Sequence, residues 1–209
     1  MAYFPFFVDL TDKTGLILGG GTVACRKIRI LLAYGPKLTV VAPDFHPQIE
    51  ALSREFPEQL TLCRRSCIED DLKDYFFVIA ATDDPALNHR IAIACKTQNI
   101  PINVVDDKND CSFLFPALIK DGDLTIGIST SGDSPTAAAF LKKEVEQSLP
   151  EEIGTLLPYL ASLRPLVKER IREECHRKSC FAKLLSLCLE QGFPLSPSQL
   201  ETILGEYFS

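Results

Sequence analysis

No stretch of this 209-residue chain comes near the run of roughly 20 apolar residues that a membrane-spanning helix requires. The start, MAYFPFFVDLTDKTG, lacks the basic flank and long apolar segment of a secretory signal, so the expected setting is cytoplasmic. Among eight cysteines no pair forms Cys-x-x-Cys and none has the ligand spacing of a zinc module. They read as reduced thiols, with Cys25 and Cys95 as small core residues. Cys175, His176 and Cys180 offer metal ligands in a short span, against the simpler reading of a helix junction with scattered thiols. Positive charge is not in excess either. The 22 Lys and Arg against 28 Asp and Glu leave a net charge of −6, which argues against nucleic-acid binding, where a basic field supplies most of the affinity. Residues 150–209 hold eight acids and seven bases, so the acidic excess lies mainly upstream, and an anionic ligand needs a local basic site.

What is present is enough apolar residue for a core, 46% of the chain against 24% charged. Over the first hundred residues, short apolar runs alternate with segments of helical period. The runs Leu16–Leu18, Leu38–Ala42, Leu60–Cys63, Tyr75–Ala81 and Ile102–Val105 are mostly apolar on both faces, as strands of a parallel sheet covered by helices must be. Between them, Ala24/Ile28/Leu31/Leu32, Ile49/Leu52/Phe56 and Leu87/Ile91/Ala94/Cys95 form helical stripes. The alternation predicts right-handed βαβ units in a doubly wound α/β sheet. The pattern then changes. FLFPALIKDGDLTIGIST places two apolar runs around Lys120-Asp121-Gly122-Asp123, a hairpin signal because a tight turn demands positive φ. The next helix has Ser134 as N-cap, Pro135 at its first position and Ala138, Leu141 and Val145 as its buried stripe. A strand pair and one helix cannot fold alone, so they pack on the sheet domain or on a second subunit. From Pro150 onward prolines punctuate helices striped by Leu166/Ile171, Phe181/Leu184/Leu185/Cys188 and Leu200/Ile203/Leu204/Tyr207.

Gly19, Gly21 and Ala24 spell G-x-G-x-x-A directly between a predicted strand and a predicted helix. Gly19 permits the tight turn, Gly21 lets the backbone approach a pyrophosphate, and Ala24 keeps the helix close to the sheet. The helix N-terminus offers unpaired N–H groups to the anion. In that context the motif predicts dinucleotide binding, although a glycine-rich turn without a ligand has the same spelling. An acidic residue ending the second strand should bind the adenine ribose. Here the strand ends VVAPD, so Asp44 arrives late and behind Pro43, and either Asp44 or the backbone around Pro43 takes that part. The absence of arginine from VVAPDF favours NAD over its phosphorylated relative. After the fourth strand, AATDDPALN puts Thr82 and Asp83 at the carboxyl edge of the sheet, where ligands bind in open α/β folds; Asp83 or Asp84 also suits the cap of the helix opened by Pro85.

The fifth strand, INVVDD, delivers Asn103 and then Asp106 and Asp107 to the same edge. A carboxylate there can take protons from a substrate losing hydride, and partial burial would raise its pKa to suit. A solvated loop acid would have the same spacing. Ser129, Thr130 and Ser131 in STSGDSP combine hydroxyls with a glycine and a helix start, which makes either an anion pocket able to grip carboxylates or an ordinary Ser-Pro cap.

Taken in order, PFFVDL, GGGTVACRK, LTVVAP, AATDDPALN, INVVDD, SFLFPALI and ISTSGDSP…LKKEVE resemble one family, the bifunctional precorrin-2 dehydrogenase/sirohydrochlorin ferrochelatase, which occurs alone or as the amino-terminal half of sirohaem synthase. The likeness runs nearly without gaps to about residue 150 and more loosely through LRPLVKERI. It implies an NAD-binding Rossmann-like domain over residues 1–112, a small α+β dimerisation segment over 113–149 and a helical C-terminal domain over 150–209, assembled as a homodimer. It implies oxidation of precorrin-2 to sirohydrochlorin with NAD and, in many members, insertion of ferrous iron to give sirohaem. Asp106, in the family's N-x-V-D motif, would be the acid/base of both steps, supported by Asn103. Thr22, Val23, Pro43 and Asp44 occupy cofactor-contact positions, and Ser129, Thr130 and Ser131 line the tetrapyrrole cleft. Arg26, Lys27, Lys108, Lys142 and Lys143 are candidates to meet the substrate's carboxylates. No fixed metal-ligand cluster is called for, because the macrocycle itself binds the iron. The methyltransferase half of the fused members is not in this sequence, so precorrin-2 is expected from a separate protein.

Two other readings use fewer of these residues. A regulatory domain that senses NAD or NADH explains the glycines but gives no work to NVVDD or STSGDSP. An unrelated NAD-dependent reductase lacks its usual chemistry here: there is no Tyr-x-x-x-Lys pair, and His46, His89 and His176 lie in helix-like or loop contexts.

Overall fold

The computed structural model describes residues 3–207, and the chain divides into two compact units. The first runs to Phe115 and includes Ser131–Asp133; the second takes Pro116–Thr130 and continues from Ser134. Residues of the hairpin segment and the helical tail thus share one unit.

The first unit alternates as β1 (Thr14–Leu18), α1 (Thr22–Leu32), β2 (Lys37–Ala42), α2 (Pro47–Glu55), β3 (Leu60–Arg64), β4 (Phe77–Ala80), α3 (Pro85–Thr97) and β5 (Ile102–Val104), with a short 3-10 turn at Glu69–Leu72. The five strands make one parallel sheet in the order β3-β2-β1-β4-β5. Alternation along each strand sorts side chains into two cores. Ile17, Val40 and Ile79 pack with Ala24, Ile28 and Leu31 of α1 and Ile49 and Leu52 of α2. Leu16, Leu18, Val78 and Ala80 pack with Ile91, Ala92 and Cys95 of α3. Strands buried on both faces are why the sequence shows continuous apolar runs rather than alternation. Each fully buried Leu or Ile contributes roughly 1.5–3 kcal/mol relative to its exposed state, so the sheet centre is the stable frame. The fourth strand is shorter than expected at both ends, running from Phe77 to Ala80. Strand order reverses between β1 and β4, and in such folds the crevice at the carboxyl ends of the reversing strands is where ligands bind.

In the second unit β6 (Ala117–Asp121) and β7 (Leu124–Ile128) pair antiparallel around Gly122, which has φ 51°. This is the Asp-Gly hairpin the sequence predicts. Helices α4 (Pro135–Ser148), α5 (Ile153–Ser162), α6 (Arg164–Arg170), α7 (Glu174–Gln191) and α8 (Pro197–Gly205) follow. Ser134 caps α4 as expected, its hydroxyl accepting from Ala137 N. The stripe of α4 is only partly buried: Ala138 is inside, Val145 is intermediate, and Leu141 is exposed beside Phe140. In the tail, Val167, Ile171, Cys180, Leu184, Cys188, Ile203 and Leu204 form the core, while Leu185 is exposed. Among the described residues no helix is long and apolar enough to cross a membrane, and all eight cysteines are free.

Candidate functional site

The loop between β1 and α1 is shaped by three glycines with different constraints. Gly19 has φ 115°, and a Cβ there would lie 2.1 Å from Ala81 O. A Cβ on Gly20 would lie 2.1 Å from Asp44 O, so the chain after β2 can press against this loop only because Gly20 has none. His46 N donates to Gly20 O at 2.8 Å and fixes that approach. Gly21 is the opposite case: its Cβ would meet nothing within 4 Å. Gly21 is also the N-cap of α1, with no side-chain cap and no acidic residue in the first turn. In α2 and α3, by contrast, His46 and Asp84 accept hydrogen bonds from first-turn N–H groups. The start of α1, with Thr22 exposed and Val23 half-buried, therefore keeps free donors and the positive end of its dipole for an anion. A pyrophosphate fits this cradle.

Along the carboxyl edge the other expected contacts divide. Pro43 and Asp44 are exposed beyond β2, and the Asp44 carboxylate is 3.4 Å from Arg64. The Thr82 hydroxyl donates to Asn88 Oδ1 at 2.7 Å and accepts from Asp84 N, and the Asp84 carboxylate caps α3 through Ala86 N and Leu87 N. Thr82 thus spends its hydroxyl on the β4–α3 turn.

Asp106 follows β5 with φ 65°, a left-handed conformation costing of order 1–3 kcal/mol in a residue other than glycine. It is exposed, so the burial expected of it is not found, and its carboxylate has no partner among the described residues. Asn103 is buried; its amide donates to Phe113 O at 3.0 Å and lies 3.5 Å from Cys111 Sγ. That bonding ties β5 to the returning chain rather than to Asp106. Asp107 Oδ1 accepts from Asn109 N. Lys108 is held by Asp133 at 2.7 Å, and that bond raises the lysine's pKa and lowers the carboxylate's. Ser131 and Gly132 are both left-handed, at φ 55° and 81°. Within the second unit, the Thr130 hydroxyl donates to Ser134 O at 3.0 Å and accepts from Ser134 N, closing a local turn after Ser129.

Two residues, Asp110 and Arg64, escape a reading by motif, and for Lys27, a candidate on sequence, the packing does. Lys27, on α1, places its ammonium 3.7 Å from the centroid of the Phe115 ring, and burial pushes its pKa down to about 8, with the Cys111 thiol opposing and Arg26 reinforcing the fall. Cys111 Sγ is itself bonded to Val104 and Asp107 O at the end of β5, so Lys27 lies on the β5 side of the cradle. Asp110 is buried between His89 at 2.5 Å and Lys96 at 3.2 Å; burial pushes its pKa up, but these bonds outweigh it and hold it below the usual carboxylate value. Arg64 is placed beside Asp44 by strand pairing. In the tail, Glu173, Cys175 and His176 bring one ligand atom each within 4.8 Å of one another, whereas Cys180 is buried in the helical core and apart from them.

A family model described as NAD(P)-binding matches residues 6–117, and one described as the sirohaem biosynthesis protein central region matches residues 121–148. The chain is 37% identical over 186 residues to a siroheme synthase of Sodalis glossinidius, covering 89% of this chain and 39% of that protein. It is 33% identical over 171 residues to a siroheme synthase of Zymomonas mobilis, covering 82% and 36%. The chain spans about two fifths of the length of these curated relatives. Among solved structures, a protein described as SirC, precorrin-2 dehydrogenase, superposes with a TM-score of 0.76 at 25% identity, covering 98% of both chains.

Proposed function

The chain belongs to the NAD-binding precorrin-2 dehydrogenase/sirohaem synthase family, and from that premise we propose that it oxidises precorrin-2 to sirohydrochlorin in sirohaem biosynthesis. The observation that carries the chemistry is Asp106, a left-handed, exposed carboxylate with no partner among the described residues, at the end of the second strand along the sheet from the one that leads into the glycine cradle. A strained backbone at the end of a sheet strand supports a role in a site, and a carboxylate without a cation partner keeps its lone pairs for protons.

NAD supplies the hydride acceptor when bound. Gly21 and the free N–H groups of Thr22 and Val23 hold its pyrophosphate, and Asp44 takes the ribose. Loss of a hydride from the macrocycle leaves one proton to be removed, and Asp106, exposed to solvent, accepts it and passes it to water. Asn103 is a positioning residue: its bonds to Phe113 O and Cys111 anchor the strand that presents Asp106. Lys27 and Arg26 meet substrate carboxylates, which suits a polyanionic ligand on an acidic protein. Lys108, already held by Asp133, reaches a carboxylate only by exchange with it. The Ser129–Ser131 loop contributes N–H groups to the substrate, and the Thr130 hydroxyl, already bonded to Ser134, reaches it only by exchange.

Ferrous iron is proposed as a second substrate. As it enters sirohydrochlorin two pyrrole nitrogens lose one proton each, and Asp106 takes them one after the other, releasing each to solvent. A homodimer is proposed as well, supported by exposed Phe140 and Leu141 on α4, which a second copy would cover. Eight free thiols suit the reducing cytoplasm. Incubation with precorrin-2 and NAD tests the reading: the sirohydrochlorin absorption spectrum should appear only with protein and nucleotide together. Its failure to appear refutes the dehydrogenase; ferrous or cobalt ions added afterwards, with and without protein, test chelation.

A further inference from the structure

The cradle lacks an ordinary ribose partner at the end of β2, because Asp44 lies beyond Pro43. The sheet register supplies what surrounds it. Parallel pairing sets Arg64, the last residue of β3, opposite Ala42, the last of β2. From there its guanidinium reaches the segment after β2: Nη1 is 3.4 Å from Asp44 Oδ1, Nη2 is 2.6 Å from Glu50 Oε1, and its carbon is 5.1 Å from the Phe45 ring centroid. The same segment is fastened to the glycine loop through His46 N and Gly20 O, so the three charged groups stand beside the cradle on its β2 side.

We infer that Asp44, Arg64 and Glu50 discriminate at the 2′ position of the adenine ribose, accepting a hydroxyl and refusing a phosphate, with Glu50 as the positioning residue that keeps Arg64 from serving as a phosphate receptor. The inference rests on the cradle reading above. An arginine at this point of the fold is what accommodates a 2′-phosphate, because its fork of donors matches phosphate oxygens in pairs. Here Glu50 holds one arm of the fork and Asp44 faces the other. One cation shared by two carboxylates presents net negative charge, which repels a phosphate, whereas a ribose hydroxyl can donate to Asp44. Two neighbouring arginines are engaged as well. Arg29 donates to Gln48 Oε1 at 3.1 Å, and Arg65 is paired with Asp71 and Ser66 O.

The test is titration with NADH and NADPH, read by nicotinamide fluorescence, of the wild-type protein, Glu50→Gln and the double variant Glu50→Gln/Arg64→Leu. Wild type should bind NADH at least about tenfold more tightly than NADPH. Glu50→Gln should tighten NADPH roughly three- to tenfold, the effect of removing one exposed like charge at close range, and leave NADH within about twofold. Adding Arg64→Leu should abolish the gain. Equal binding of both nucleotides by wild type, an unchanged NADPH affinity in Glu50→Gln, or a gain that survives loss of Arg64 would each overturn the inference while leaving the cradle intact. Binding of neither nucleotide to wild type would overturn the cradle and the inference together.

Discussion

Replacing Gly21 by alanine separates folding from nucleotide binding. At φ −85° and ψ −170° the backbone is in a region any residue adopts, and the new Cβ would meet no atom within 4 Å. The protein itself loses only an N-cap preference, about 0.5–1 kcal/mol, so a thermal melt should move by a few degrees at most. The nucleotide is affected differently, because the methyl group stands where the pyrophosphate must approach the N–H groups of α1. Displacing the anion from even one charge-assisted hydrogen bond costs about 1.5–3 kcal/mol, equivalent to a roughly ten- to 150-fold weaker complex. NADH fluorescence titration measures this directly, with the melt as control. Gly20→Ala is the internal contrast: its Cβ would lie 2.1 Å from Asp44 O, so that variant should lose stability as well as affinity. A folded Gly21→Ala protein binding NADH within twofold of wild type would refute the cradle.

Two further perturbations address charge inside the first unit. The ammonium of Lys27 titrates near 8 in the folded protein against 10.5 for the free amine, so between those values the unfolded chain binds the extra proton and stability rises with pH. The whole difference corresponds to at most ~3.4 kcal/mol, and solvent screening of a half-buried group reduces it to about 1–2 kcal/mol. Lys27→Met should therefore exceed wild type in stability at pH 7 by about that amount, with the gap closing towards pH 10.5; parallel curves in urea unfolding would contradict this. Asp110 has the opposite sign. Its pKa is depressed by His89 and Lys96, so its contribution is present above pH 3.8 and lost as pH falls through the lower folded value. Asp110→Asn should cost roughly 1.5–3 kcal/mol at neutral pH and less in acid, and equal stability at pH 7 would count against the buried pair.

How much of this was legible in the sequence depended on how far apart the interacting residues lie. The β1–α1 loop is contiguous, and G-x-G-x-x-A states its backbone demands directly; the hairpin at Gly122 and the cap at Ser134 are likewise local. Contacts made by tertiary pairing left no trace in spacing. Arg64 meets Asp44 because β3 lies beside β2, and VVAPDF shows no arginine at all. Asn103 gives its amide to Phe113, and Lys108 meets Asp133 across 25 residues of chain, so the residue types were visible but not their commitments. The His89–Asp110 pair was invisible for the same reason. On α4 the periodicity marked Leu141 for burial, but a stripe records what a helix can bury, and within this chain Leu141 stays exposed.

In the proposed reaction the Asp106 carboxylate does the proton chemistry beside a nucleotide held by other residues. The direct measurement pairs two readouts on Asp106→Ala: NADH titration, and the development of the sirohydrochlorin spectrum from precorrin-2 and NAD. Asp106→Ala should bind NADH within about twofold of wild type, since Asp106 is not among the groups that hold the anion, and should lose turnover. Turnover retained at the wild-type rate would contradict that role.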